Sequence, residues 1–219
     1  FIAYMQLFKK MGLKAIPMKA ETGPIGGDLS HEFIIIAATG ESEVYLEKEL
    51  LKCEGFSDEV DYRRDLQKEV QKYTSFYAAT DEKHDAEAYK KNLDNLIKTK
   101  GIEVGHIFHF GQKYSTPMKA NVNTHDGKNI PVFMGSYGVG LSRLVGAVIE
   151  ANHDEKGIIW PKQITPWNYN IVNLKSGDQD CDLTCLKLYN LMNKNYDAVL
   201  YDDTSERAGA KLARADLIG

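Results

Sequence analysis

Met134-Gly135-Ser136-Tyr137-Gly138-Val139-Gly140-Leu141-Ser142-Arg143 is the stretch that decides the fold. A strand-like alternation runs directly into Gly-x-Gly. A helical pattern follows in Val139, Leu144, Val145, Val148 and Ile149. On that helix the nearest neighbours of Arg143 are Gly140, Gly146 and Ala147. An arginine ringed by small residues leaves room for a flat or anionic ligand, and its planar, permanently charged fork suits phosphate or an aromatic ring. A core helix with a snorkelling arginine fits the same spacing. The dinucleotide fingerprint is excluded, because Arg143 stands where its last glycine belongs. No Gly-x-x-x-x-Gly-Lys-Ser/Thr loop occurs either.

Working outward, Asp126-Gly127 lies between two strand-like runs, 118–124 and 129–136, and reads as a hairpin turn. The second strand of this hairpin leads into the motif, so an antiparallel sheet is expected to present the Gly-x-Gly helix. Further upstream, Ile102, Val104, His106, Phe108 and Phe110 alternate onto one face, with Glu103, Gly105 and His109 on the other. Ser30–Ala37 reads as a buried strand opening onto a pocket, after the turn-rich loop Thr22–Asp28. Residues 1–11 read as a helix stopped at Gly12, and 13–18 as a short strand.

Residues 41–100 differ in composition: 26 of these 60 are charged, against 32 of the other 159. That contrast marks a solvated insertion, with helices expected over Tyr62–Ala78 and Asp85–Lys98. Beyond the punctuation of Trp160-Pro161 and Thr165-Pro166 the order becomes strand (Tyr169–Leu174), helix (182–194), strand (Ala198–Tyr201) and helix from Ser205. This predicts a second, α/β domain over 165–219, after a first over 1–164. Asp203 and Glu206 have capping-box spacing. Arg207, Lys211 and Arg214 form a basic stripe, either a solvated face or an RNA contact.

The whole chain sets bounds. Its 219 residues are 43% hydrophobic and 26% charged, an ordinary globular composition. No run of apolar residues is long enough to span a membrane, and no signal-peptide pattern is visible. A net charge of −4 and a pI near 5.9 exclude a general basic field, leaving RNA only a local patch. Cys53, Cys181 and Cys185 are too few for a disulfide framework and fit a reducing compartment. Phe1 opens on an apolar helix face and Gly219 follows a helical run, so both ends read as cuts inside a larger protein.

Taken together, five ordered blocks resemble the bacterial-type prolyl-tRNA synthetases. They are Gly23–Phe33; Glu103–Phe108 with Gly111-x-Lys113-Tyr114-Ser115; Met134–Arg143; His153–Pro161; and Tyr201–Lys211. The resemblance implies an α+β fold: a class II synthetase antiparallel sheet with flanking helices, then the start of an α/β anticodon-binding domain. It implies proline ligation to tRNA through an ATP-derived prolyl-adenylate. It places Gly138, Gly140, Arg143 and Glu103 at ATP, with Arg143 as the catalytic contact. It places Ser30, His31, His106, Phe108 and Ser136 at proline, and Arg207, Lys211 and Arg214 at tRNA.

Magnesium is expected with the phosphates, with Glu103 a candidate partner, and no separate metal site is read. The partners implied are proline, a proline-accepting tRNA and, for the full-length enzyme, a second copy in a cytoplasmic homodimer. The first and second class motifs are absent from these 219 residues, so the fragment alone is expected to be inactive. The short insertion puts built-in hydrolysis of mischarged alanine in doubt. A non-catalytic paralogue binding tRNA or amino acid, or a same-subclass synthetase for another amino acid, remains the alternative.

Overall fold

The computed structural model describes residues 1–53, 59–87, 93–195 and 198–219. They fall into two compact units, Phe1–Ala151 and Asn152–Gly219. Among them no helix is long and apolar enough to cross a membrane.

The first unit opens with α1 (Ile2–Lys10) and β1 (Ala15–Lys19). Ile2, Met5 and Phe8 lie on one side of α1 and are buried, and Gly12, at φ +72°, lets the chain turn away. The strand β2 (Leu29–Ile36) pairs antiparallel with β1. Phe33 of β2 lies under the helix, with ring centroids 5.7, 5.2 and 5.8 Å from Phe1, Tyr4 and Phe8. Burying an aromatic ring of this kind stabilises by about 1.5–3 kcal/mol.

Next come β3 (Ser42–Glu47), α2 (Gln67–Thr74), β4 (Ala78–Thr80) and the long β5 (Leu96–Gly111). The strand order is β2-β1-β4-β3-β5-β8, the last being β8 (Met134–Val139), and an additional β2–β5 pairing closes the first five strands into a cycle. β5 does this by bonding β3 along 96–101 and β2 along 101–109. A glycine stands at the changeover. A Cβ on Gly101 would run into Cγ2 of Ile34 and lie 3.0 Å from the Ile35 carbonyl oxygen, and Gly40 packs against the backbone of Gly101.

This arrangement corrects the reading of 41–100 as peripheral. β3, β4 and the start of β5 belong to the main sheet, with Val44, Leu46, Leu50, Ala78 and Ala79 buried. Most of the charges sit on the connections between these strands, while Glu43, Glu47, Lys98 and Lys100 lie within them. The helix expected over Tyr62–Ala78 is only Gln67–Thr74. That expected over Asp85–Lys98 gives way to strand from Leu96, where Leu46 pairs with Ile97 and Tyr45 with Lys98. Cross-strand pairing overrides a weak helical period here. Residues 88–92 of that expected helix lie outside the described residues.

After the short α3 (Ser115–Met118), β6 (Asn121–Asn123) and β7 (Asn129–Pro131) form the hairpin around Asp126-Gly127. The hairpin is a separate two-stranded sheet, whereas the reading had its second strand continuing into the motif. The chain leaves it at Pro131, then starts β8 (Met134–Val139) against β5 and enters α4 (Leu141–Ala151).

The second unit holds β9 (Tyr169–Val172), α5 (Gln179–Asn195), β10 (Val199–Asp202) and α6 (Ala208–Ile218), with β9 and β10 parallel. This is the expected β-α-β-α order. Residues 152–164, which the sequence assigned to the first domain, belong to this unit. The Ile158 amide donates to the Leu217 carbonyl at 3.1 Å and the Trp160 indole to that of Ile218 at 2.8 Å. The capping box does not form, since α6 begins after Arg207 without a side-chain cap. Asp202, not Asp203, is the local acceptor, taking the Thr204 hydroxyl at 2.7 Å and Arg214 at 3.1 Å.

Gly101→Ala tests the changeover in β5. Ile34 is fully buried and cannot yield, so the added methyl is expected to cost about 1–3 kcal/mol. Urea unfolding followed by circular dichroism should show a lower midpoint; an unchanged midpoint would show that the crossing has slack.

Candidate functional site

The site lies on the stretch of sheet where β2, β5 and β8 run side by side. Ser30 pairs with Phe108 and Phe108 with Ser136; one step along, Glu32 pairs with His106 and His106 with Gly138. Residues directly opposite in antiparallel strands share a face, so these six side-chain positions form one grid. The His106 and Phe108 rings stack at 3.9 Å and 21°, giving the grid a flat apolar row.

Beyond His106 the ladder slips. Phe33 pairs with Gly105, but Ile34 pairs with Glu103. The extra residue, Val104, is a β-bulge that resets the alternation. Glu103 therefore turns to the side of His106, with Oε1 3.2 Å from Nδ1. A strict period of two had placed them on opposite faces.

Arg143 approaches from the first turn of α4. Its Nη1 lies 3.3 Å from Glu103 Oε2 and 3.5 Å from Glu41 Oε1, and its side chain is 51% exposed. Gly140 anchors that turn, donating to the Val104 carbonyl at 3.1 Å and accepting from Leu144 at 2.7 Å. A Cβ on Gly138 would meet nothing within 4 Å. Neither its φ nor a neighbour demands glycine there, so the room beside His106 opens to solvent or to a ligand.

Burial sets the charges. Glu32 is pushed up to about 7 by burial and then by the nearby Glu103. Glu103 is held below its ordinary range, chiefly by its hydrogen bond from His106. Donor atoms of Glu32, Glu103 and His106 all lie within 4.8 Å of one another, close enough to hold one cation between them. Nothing in the sequence marks Glu32 or Glu41 as a site residue: Glu32 arrives through the β2–β5 register, and Glu41, just before β3, through its contact with Arg143.

The other expected site residues divide. Ser30, His106, Phe108, Ser136, Gly138, Gly140, Glu103 and Arg143 converge. His31 does not: it points to the α1 side with Phe33, is 5% exposed, and meets the Phe1 ring edge-on at 5.4 Å. Burial, then the Lys19 charge, lowers its pKa to about 4, so it is a neutral core residue. In the second unit, Lys211 leaves the expected stripe. It is wholly buried, its ammonium donating to the Asn173 carbonyl and the Ser176 hydroxyl, each at 2.7 Å. Arg214 is paired with Asp202 and with Glu206 at 2.7 Å, while Arg207 is exposed.

No protein-family model matches the chain. Curated proteins named proline–tRNA ligase match all of it: that of Rhodopseudomonas palustris (strain BisB5) at 56% identity, of Caulobacter vibrioides (strain NA1000 / CB15N) at 54%, and of Parvibaculum lavamentivorans at 53%. The chain spans about half the length of each, 50%. A crystal structure of prolyl-tRNA synthetase from Cryptosporidium parvum, complexed with L-proline and AMP, has the same fold at TM-score 0.59 and 13% identity, over 99% of this chain and 34% of that one. The chain is thus homologous, along its whole length, to one half of the proline–tRNA ligases, as the five ordered blocks led us to expect.

Glu32 makes stability depend on pH. Its folded pKa is above its unfolded value, so its contribution is full below about 4.5 and is lost as pH rises through about 7. His31 has the opposite sign: its contribution is full above about 6.5 and is lost as pH falls through about 4. Glu32→Gln is expected to raise stability at pH 8 by about 1–3 kcal/mol and to remove the loss between pH 4.5 and 7. Urea titrations at pH 5 and pH 8 in EDTA would show this; parallel pH profiles for variant and parent would refute it.

Proposed function

We propose that the chain carries part of the ATP and amino-acid site of a proline–tRNA ligase. The observation that carries this reading is the single-face grid running from Ser30 and Phe108 to Glu103 and Arg143, in a chain so closely similar to those ligases. In the reaction proposed for the full-length protein, a proline carboxylate oxygen bonds to the α-phosphorus of ATP as pyrophosphate leaves. A ribose hydroxyl of a proline-accepting tRNA then takes the prolyl group and releases AMP. Such chemistry depends on positioning and charge stabilisation more than on acid–base side chains.

Each residue has a task. Arg143 sets a fixed cation against the nucleotide. Gly138 and Gly140 keep the adjoining backbone open. The His106–Phe108 row forms a flat wall for the proline ring, with Ser136 beside it. Glu103 and Glu32 fit magnesium, a hard cation that takes oxygen ligands. When bound, that ion would neutralise phosphate charge. In the second unit, read as the start of an anticodon-binding domain, Arg207 is the exposed cation for RNA. The resemblance also supports a homodimer working in the cytoplasm.

In a full-length protein, Arg143→Ala is expected to cripple proline-dependent ATP–pyrophosphate exchange while leaving the fold intact. Loss of a charged hydrogen bond corresponds to about 1.5–3 kcal/mol. Wild-type exchange by the variant would remove Arg143 from the site.

A second expectation concerns alanine, which is smaller than proline and enters its pocket. One or two missing methylenes discriminate by only about 1–3 kcal/mol each. The described residues of 41–100 are largely committed to the sheet and its connections, which argues against a separate hydrolytic pocket there. The full-length enzyme should therefore charge some alanine and not clear it unaided. Following alanyl-tRNA decay with enzyme present tests this; rapid hydrolysis that is lost on deleting part of 41–100 would make the segment an editing module.

A further inference from the structure

Ser30 is 4% exposed, so little of it is open to a ligand, yet its hydroxyl lies 2.5 Å from Nε2 of His106. The other ring nitrogen, Nδ1, faces Glu103 at 3.2 Å and Glu32 at 3.9 Å. An ionised carboxylate can only accept a hydrogen bond. With Glu103 ionised, Nδ1 must carry the proton it donates. A neutral imidazole then presents a lone pair at Nε2, and the serine O–H is the donor that meets it. Glu103 divides its oxygens, Oε1 toward His106 and Oε2 toward Arg143 at 3.3 Å.

We propose that Ser30 is a positioning residue: its hydroxyl fixes His106 as the Nδ1–H tautomer, which in turn holds Glu103 between His106 and Arg143. The resemblance placed Ser30 at proline; the hydrogen bonds instead make it act through His106. The relay joins the Phe108 end of the site to the Arg143 end, and its catalytic consequence rests on the ligase reading. It also bears on the cation. With both nitrogens of His106 engaged, the carboxylate oxygens of Glu103 and Glu32 are what remains for a metal, a donor set suited to magnesium. Zinc, which favours imidazole nitrogen, would first have to break the relay.

The test is long-range ¹⁵N–¹H NMR of the histidine rings in the 219-residue chain, with EDTA and with neither ATP nor proline. His106 is expected to show a protonated Nδ1 and a lone pair at Nε2. Ser30→Thr should keep that pattern, Ser30→Cys, a weaker donor, should shift it partly, and Ser30→Ala should give mixed tautomers. A ring protonated at Nε2 alone, or at both nitrogens at neutral pH, would overturn the proposal, as would a Ser30→Ala spectrum identical to the parent. Should Ser30→Ala not fold, the parent ring and the Ser30→Cys shift decide. In the full-length protein, Ser30→Ala is expected to lower pyrophosphate exchange roughly tenfold, the scale of one hydrogen bond, with Ser30→Thr restoring it. If the tautomer is as described but the parent shows no exchange, the ligase reading fails and the positioning role stands.

Discussion

Val104 is the residue on which the site depends. Without the extra residue between the Gly105 and Glu103 pairings, Glu103 would stay on the far side of the strand from His106. The bulge reverses that. It places two functional side chains three positions apart on one face, a spacing that an unbroken strand cannot provide. Val104 is also 1% exposed, and its carbonyl receives the Gly140 amide at 3.1 Å. One irregular residue thus aims a carboxylate and also fastens the turn from which Arg143 projects.

The electrostatics of the grid follow. Glu32, Glu41 and Glu103 face a single guanidinium, and burial leaves Glu32 with a pKa near 7. A multiply charged phosphate entering here would meet carboxylates as well as Arg143. Under the ligase reading, Glu103 and Glu32 would hold a cation, which would supply positive charge where the phosphates arrive. Glu32 is raised because burial, and then the like charge of Glu103, both favour its proton.

Sequence patterns recovered whatever local rules control. Gly12 stopped α1, Asp126-Gly127 made a turn, and the β-α-β-α order of the second unit held to within a few residues. The residues that converge at the site were expected from the resemblance and not from periodicity, and the alternation along 102–110 taken alone sets Glu103 on the face opposite His106 and Phe108. What the patterns missed depends on partners distant in sequence. Leu96 and Ile97 are strand because β3 is beside them, and Glu103 changes face because of a register slip. His31 and Glu32 are neighbours on one strand, yet only the placement of α1 shows which is core and which is site. Charge density misled over 41–100, since it records the exposed connections and not the three strand segments they join, of which β3 and β4 carry the buried Val44, Leu46, Ala78 and Ala79.

Lys211 shows the same limit in the second unit. A lysine at helical spacing between two arginines reads as surface, and a wholly buried ammonium is costly unless its protons are met. Here they are met by structure that lies well before it in sequence. β9 and β10 are parallel, so their carboxyl ends fall together, and the carbonyls of Asn173 and Asp202 face Lys211 at 2.7 and 3.5 Å, with the Ser176 hydroxyl at 2.7 Å. The Asp202 carboxylate lies 3.8 Å away and also holds Arg214. The basic residues of α6 therefore have different tasks: Lys211 ties the helix to the strand ends, Arg214 braces the Asp202 turn, and Arg207 alone of the three is exposed. A basic stripe in sequence is evidence for an RNA surface only after the cations that hold the fold together have been taken out of it.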